Sequence, residues 1–204
     1  FKKFNILFIF ACIRRYSHFP LYRLPSQIFL VFTNQLPIFS LSLLYGNEIL
    51  GQFALTHSVM SVPISLVSQS VGSAYYARIA RLGIRQKDKI CSLTKYFIKN
   101  LFLVTLIPTL LLIFFGKFIF TLIFGDIWFL AGDYVQYMSL FFGFQILTTP
   151  LMHLLTVYEK HSLFLRINLV RFTLISLVFI FGYLLNLNPN KVILLYSLFL
   201  MLHY

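Results

Sequence analysis

The sequence predicts an all-α membrane protein, a polytopic bundle of five full transmembrane helices followed by a truncated sixth. The first observation behind this prediction is composition: of 204 residues, 59% are apolar and only 11% are charged. Soluble domains are about 45–50% apolar and about 25% charged, so this chain lies outside that class. The second and third observations are recurrent charge-free stretches and a regular alternation of basic segments between them.

The predicted spans follow from the thickness of the bilayer. A hydrocarbon core about 30 Å thick needs about 20 residues of helix. We predict that residues 1–23 form a cytoplasmic or interfacial linker and that residues 24–204 form the transmembrane bundle. The spans are predicted at about residues 24–47, 49–77, 96–116, 134–158 and 169–187, with 192–204 as the truncated sixth.

The distribution of lysine and arginine sets the predicted orientation. If the spans alternate, residues 1–23, 78–99 and 159–171 lie on one side of the membrane. These segments hold every lysine and arginine except Lys117 and Lys191. Because basic loops of membrane proteins remain in the cytoplasm, we expect a multi-pass protein with these three segments on the cytoplasmic side.

The sequence contains no arrangement of residues typical of catalysis. Its five histidines show no metal-ligand spacing, and there is no glycine-rich phosphate loop or nucleophile elbow. The predicted outer loops are too short for a soluble catalytic module. We therefore expect a protein that is not an enzyme and that needs no catalytic residue, metal or cofactor. The basic segments are explained by topology and by anionic lipid head groups, so no nucleic acid partner is expected.

Polar side chains inside the predicted spans mark a candidate substrate path. They are Asn34, Gln35, His57, Gln69 and Gln145. Lipid does not solvate such groups, so they should face other helices or water. For any single one of them, a hydrogen bond between helices is the commoner role. All five acids fall at span ends or in loops, which disfavours a self-contained cation-driven pump.

The second span also carries one stripe of small residues at intervals of three and four, which places them on one helical face. The stripe consists of Ala54, Ser58, Ser61, Ser65, Ser68 and Gly72. Small residues allow helices to approach closely in lipid, so the stripe predicts a packing seam. The alternative is that it faces a cavity and leaves room for a bulky ligand.

Several short motifs resemble one family of membrane transporters. Residues 19–25 read FPLYRLP, residues 34–37 read NQLP, and residues 45–55 read YGNEILGQFAL. Residues 124–132 read FGDIWFLAG, similar to an FGxxWxxAG outer loop. In this order and spacing, the motifs resemble the second half of the Wzx-type O-antigen and capsular polysaccharide flippases. That family belongs to the multidrug/oligosaccharidyl-lipid/polysaccharide exporter superfamily.

The resemblance implies a fold and a function. The family is built as two bundles of six helices, and this chain is similar to the second, so an N-terminal half of the same polypeptide would be missing. The implied function is to flip an undecaprenyl-diphosphate-linked oligosaccharide repeat unit across the bacterial inner membrane for surface polysaccharide assembly. Membrane lipids and polysaccharide assembly proteins would be further partners.

The implied diphosphate needs cationic partners, and arginine has a planar fork that suits phosphate oxygens. Arg23, Arg78 and Arg171 lie at the cytoplasmic ends of predicted spans and are therefore candidates. For each of them, anchoring by the positive-inside rule is the simpler role. No residue role transfers from the family through a matched motif.

Two other functions stay open at this point. A cation-coupled multidrug exporter of the same superfamily would carry a buried carboxylate in the other half of the polypeptide. An integral-membrane polysaccharide polymerase or glycosyltransferase would also be polytopic and rich in aromatic residues. Such an enzyme should present a sizeable outer loop with catalytic side chains, which the short loops here disfavour.

Overall fold

The computed structural model describes residues 18–83 and 86–204, and the elements in these ranges are helices joined by short turns, without a strand. Most of the predicted linker at residues 1–23 lies outside the described residues. The helical stretches are His18–Leu82, Lys87–Phe124, Phe129–Thr148, Met152–Val157, His161–Leu184 and Pro189–His203.

Gly46 divides the first stretch into two helices. His18–Leu82 has 65 residues, far more than one crossing of a membrane requires. At Gly46 the backbone takes φ 81° and ψ 177°, a conformation that glycine adopts without steric cost. We call the two parts α1 (residues 18–45) and α2 (residues 47–82). The others are α3 (Lys87–Phe124), α4 (Phe129–Thr148), α5 (Met152–Val157), α6 (His161–Leu184) and α7 (Pro189–His203).

The helix α1 runs parallel to α6. Near the start of both helices, Asn168 donates a hydrogen bond to the hydroxyl of Ser26 (2.8 Å). Near their ends, the hydroxyl of Tyr45 donates to the carbonyl of Leu187 (2.7 Å), just past α6. These two contacts fix α1 against α6 along its whole length.

The helices α2 and α7 both run parallel to α4, opposite to α1 and α6. The hydroxyl of Thr56 donates to the carbonyl of Ala131 at the start of α4 (2.8 Å), and Gly72 packs against Pro150 beyond its end. The chain therefore reverses at Gly46. We call the end at which α1, α3 and α6 begin the basic end, and the opposite one the far end. Among the described residues, every lysine and arginine except Lys117 and Lys191 lies nearer the basic end.

Four stretches are long and apolar enough to cross a membrane: Leu21–Leu82, Lys87–Phe124, Asp126–Val157 and His161–Leu184. Because the first contains the break at Gly46, it supplies two helices, and the total becomes five. Pro189–His203 is a shorter apolar helix. The predicted all-α polytopic bundle is confirmed. The membrane boundaries on each helix, and the linker role of residues 1–23, stay predictions.

Three glycines bring α3 and α4 into close antiparallel contact. A Cβ atom on Gly132 would lie 2.7 Å from the Cα of Lys117, and one on Gly143 would lie 2.8 Å from Oγ1 of Thr109. Gly116 of α3 is equally confined by α4. Side chains at these positions would force the helices apart. The α3–α4 interface is therefore the tightest seam that glycines make in the described bundle.

The predicted seam on α2 is only partly buried. Ser58, Ser61 and Ser65 are exposed, whereas Gly72 at one end is buried against His153. The reason is that α4 packs on a neighbouring face of α2. On that face, longer polar side chains of α2 reach the backbone of α4.

The FGxxWxxAG segment is held in place by Gln52, one of the polar side chains of α2. Gly125 takes φ 91° and ends α3. The Gln52 amide nitrogen donates to the carbonyl of Ile127 (2.8 Å), and its oxygen accepts from the backbone N–H of Ala131 (3.0 Å). Gln52 thus satisfies a free N–H in the first turn of α4. The segment serves to join α2, α3 and α4 at the far end.

Candidate substrate site

A cavity of about 340 Å³ lies among α1, α4, α5, α6 and α7, in the half of the bundle nearer the basic end. It is lined by Arg23, Gln27, Leu30, Asn34, Gln145, Thr149, Met152, His153, Thr156, Phe164, Ile167, Asn168, Arg171, His203 and Tyr204. More than half of these side chains are polar, which is unusual for a protein whose composition is mostly apolar.

Helical spacing explains why the lining residues meet. Phe164, Ile167, Asn168 and Arg171 follow one another at intervals of three, one and three, so they share one face of α6. The lining residues of α1 also recur at helical spacing: Arg23, Gln27, Leu30 and Asn34. Since α1 and α6 are parallel and in contact, the two polar faces form adjoining walls.

Arg171 is the most buried cation of the cavity, with 8% of its surface exposed. Its Nη2 donates to Oδ1 of Asn34 (3.3 Å), and its guanidinium carbon lies 5.2 Å from the centre of the Tyr204 ring. The Nε atom is buried and has no hydrogen-bond partner among residues 18–83 and 86–204. A buried charge is costly unless it is paired, so this guanidinium is poised to accept an anion.

Asn168 and Arg23 complete the wall between α1 and α6. Asn168 donates to the hydroxyl of Ser26 and also to the carbonyl of Phe164 (3.1 Å). The guanidinium carbon of Arg23 lies 4.5 Å from the centre of the Phe164 ring. Arg23 therefore stacks on the first turn of α6, close to the basic end, while Arg171 lies deeper along the same wall.

The charge of the lining is entirely positive. Among the described residues that line it, the ionisable groups other than Tyr204 are two arginines and two histidines, with no aspartate or glutamate. The ion pair found in the described ranges, Lys117 with Asp133 (3.0 Å), lies at the far end. A cavity with arginine and amide groups but no carboxylate suits an anionic group such as a phosphate ester.

The structure brings four of the sequence-predicted residues together. Arg23, Asn34, Gln145 and Arg171 all line the cavity. They come from α1, α4 and α6, and sequence spacing alone does not show that these helices converge.

The other four predicted residues lie elsewhere. Gln35, Gln69 and Arg78 are exposed and do not line the cavity. His57 is half-buried in the aromatic core, where its ring centre lies 5.9 Å from that of Phe53. His57 therefore contributes to packing between α2 and its neighbours in this conformation.

Asn168 is the main lining residue that was not predicted from the sequence. The predicted span began at residue 169, which left Asn168 and Arg171 in or beside a cytoplasmic loop. The helix α6 begins at His161 instead, so both residues lie well inside it. The available signal was spacing: Asn168 is three residues from Arg171 and thus on the same helical face.

Comparison with known protein families gives one match. The family model MatE matches residues 25–182, which include most of α1, all of α2, α3, α4 and α5, and most of α6. Searches of curated proteins and of solved structures find no match. Since the matched region covers more than half of the chain, this polypeptide belongs to the MatE family of membrane transporters, within the multidrug/oligosaccharidyl-lipid/polysaccharide exporter superfamily.

Proposed function

We propose that this chain takes part in flipping an undecaprenyl-diphosphate-linked oligosaccharide across the bacterial inner membrane. The cavity would receive the diphosphate head group from the cytoplasmic side, which is the basic end. The observation that carries the proposal is the charge of the lining, which has two arginines and no carboxylate side chain in the part of the chain that the structure describes.

The two arginines would act at successive depths. Arg23 lies near the start of α1, where a head group in the inner leaflet would first arrive. Arg171 lies deeper, and its Nε has no hydrogen-bond partner within the described residues. Guanidinium groups bind phosphate oxygens through charge-assisted hydrogen bonds, which are roughly twice as strong as neutral ones.

The amide side chains would contact sugar hydroxyls. Gln27, Asn34 and Gln145 line the same cavity and supply both donors and acceptors. This combination of cations and amides suits a ligand that carries phosphates next to sugars. A cationic drug would instead meet two arginines without an opposing carboxylate, which is electrostatically unfavourable.

The test is genetic and uses the full-length gene. In a strain that lacks it, we expect lipid-linked repeat units to accumulate and surface polysaccharide to disappear. The wild-type gene should restore the polysaccharide, and an Arg171→Met variant should not. If surface polysaccharide persists in the deletion strain while sensitivity to cationic drugs rises, the protein is a multidrug exporter and the proposal is overturned.

A further inference from the structure

A second cationic region lies outside the cavity, at the basic end of α2 and α3. It consists of six exposed residues, Arg78, Arg81, Lys87, Lys89, Lys95 and Lys99, which we call the basic surface. We propose that the basic surface binds the head groups of anionic phospholipids in the leaflet on that side. This proposal does not depend on the transported substrate.

The length of α3 places its lysines at the height of lipid head groups. The helix has 38 residues, whereas a bilayer core needs about 20. Its predicted span begins at about residue 96, so residues 87–95 extend beyond the core and Lys99 reaches its surface by snorkelling. Lys95 and Lys99 then lie in the head-group layer. Along the helix axis Lys89 lies about 9 Å and Lys87 about 12 Å from Lys95. The Debye length at physiological salt is about 8–10 Å, so Lys89 lies within it and Lys87 just beyond it.

The lysines lie on the faces of α3 that are turned away from the protein. On the opposite face, Ile90 is buried, and Leu93 and Phe97 pack against an apolar cluster. Tyr96 and Ile98 are exposed next to Lys95 and Lys99. Exposed aromatic and aliphatic side chains among cations are typical of the membrane interface, where the apolar part meets lipid. This pattern favours a lipid surface over an acidic protein as the occupant.

The basic surface is joined to the bundle by apolar contacts and one side-chain hydrogen bond. A second apolar cluster forms around Tyr75, Ile79 and Ile90, separate from the main core. The Tyr75 hydroxyl is hydrogen-bonded to that of Thr94 (2.7 Å), and its ring stacks on Phe97 with 4.5 Å between centres. These contacts join the last turns of α2 to the first turns of α3, so the cations of both helices stay together.

The cations of the basic surface are not neutralised by any carboxylate in the described part of the chain. Asp88 is the acid nearest to them in sequence, and no ion pair joins any of the six to a carboxylate of residues 18–83 or 86–204. Their charge is thus available to lipid phosphates. Each cation near an anionic membrane surface strengthens binding by about 1 kcal/mol, or about fivefold.

The experiment measures lipid selectivity directly. The full chain is reconstituted in phosphatidylcholine vesicles with trace spin-labelled phosphatidylglycerol or phosphatidylcholine. Electron spin resonance then gives the ratio of the two association constants. We expect wild type to prefer phosphatidylglycerol by at least about fivefold. The variant with Lys87, Lys89, Lys95 and Lys99 all changed to Gln should lose most of this preference.

Three controls make the result decisive. A Lys117→Gln/Lys191→Gln variant removes the cations of the far end and should keep the preference. Arg171→Met should also keep it, which separates this proposal from the one for the cavity. For wild type, about 1 M salt should abolish the preference because the Debye length falls to about 3 Å. No preference in wild type, or an unchanged preference in the quadruple variant, overturns the proposal.

Discussion

The two sides of α4 illustrate opposite uses of helix packing. Toward α3, Gly132 and Gly143 allow contact so close that a single added Cβ atom would collide. Toward α1 and α6, Gln145 and the following Thr149 border an open cavity. The bundle is therefore stabilised by close packing on one side of α4 and leaves room for a ligand on the other. Substitutions on the two sides should therefore affect different properties.

The largest expected effect is on stability and lies in the seam. Gly132→Ala places a methyl group 2.7 Å from the Cα of Lys117, and backbone cannot rotate aside as a side chain can. Overpacking typically costs about 1–3 kcal/mol, and we expect a loss of about 3 kcal/mol in the free energy of unfolding. The measurement is SDS-induced unfolding in mixed micelles.

Gly51→Ala is the matched control, because no atom lies within 4 Å of a Cβ built there. Alanine is the better helix former, so this variant should be neutral or more stable by up to about 1 kcal/mol. Equal destabilisation by the two variants would show that close packing between α3 and α4 is not the cause of the loss.

The next effect is on transport and lies in the cavity. Arg171→Met removes the buried guanidinium and keeps a side chain that fills most of its space. Losing a charged hydrogen bond costs about 1.5–3 kcal/mol, so transport of the lipid-linked substrate should fall about 10–100-fold. Stability should hold or rise, since a buried charge is replaced by an apolar group.

Arg78→Met serves as the control for this variant. Arg78 is exposed and is not one of the lining residues, so the assay should give transport within about twofold of wild type. If Arg78→Met abolishes transport and Arg171→Met does not, the cavity is not the substrate path.

A smaller effect on stability is expected where α2 meets α4. Gln52→Leu leaves the carbonyl of Ile127 and the N–H of Ala131 without their side-chain partner. An unsatisfied buried group costs about 1–3 kcal/mol, and we expect about 2 kcal/mol in the same unfolding assay. Transport by the protein that remains folded should be unchanged. A large loss of transport without a loss of stability would contradict the structural role of the FGxxWxxAG segment.

The helical class was predictable from sequence because it depends on composition, which is a property of the whole chain. The reversal between the first two spans was predictable because hydropathy and charge alternate there. Its cause, a positive φ at Gly46, is a matter of local backbone geometry that composition does not report. Similarly, Gly132 is one glycine among nine in the sequence, and only the position of α3 shows why it matters.

The types of residue in the candidate site were predictable from the sequence, but which of them lie together in the fold was not. Arg171 and Asn34 were chosen as polar residues near or within spans, but they are 137 residues apart, and only packing brings them together. Asn168 was missed because the predicted span began at residue 169, one residue after it, although α6 begins at His161. Burying a charged group inside a helix is costly, so a span rule based on hydropathy excludes residues that a binding site uses.

The smallest substitution that tests the difference between the two sides of α4 changes one atom type beside Arg171. Asn34 accepts a hydrogen bond from Arg171, and Asn34→Asp would replace that amide by a carboxylate of nearly the same shape. The new ion pair should stabilise the fold by up to about 1 kcal/mol, because a buried cation gains a partner. The same ion pair should compete with a phosphate for the guanidinium, so transport should fall about fivefold, the equivalent of about 1 kcal/mol. Asn34→Ala removes the amide without adding charge and should reduce transport by no more than about twofold. If Asn34→Asp transports as well as wild type, Arg171 does not bind the anion. The cavity side of α4 then differs from the α3–α4 seam in packing alone.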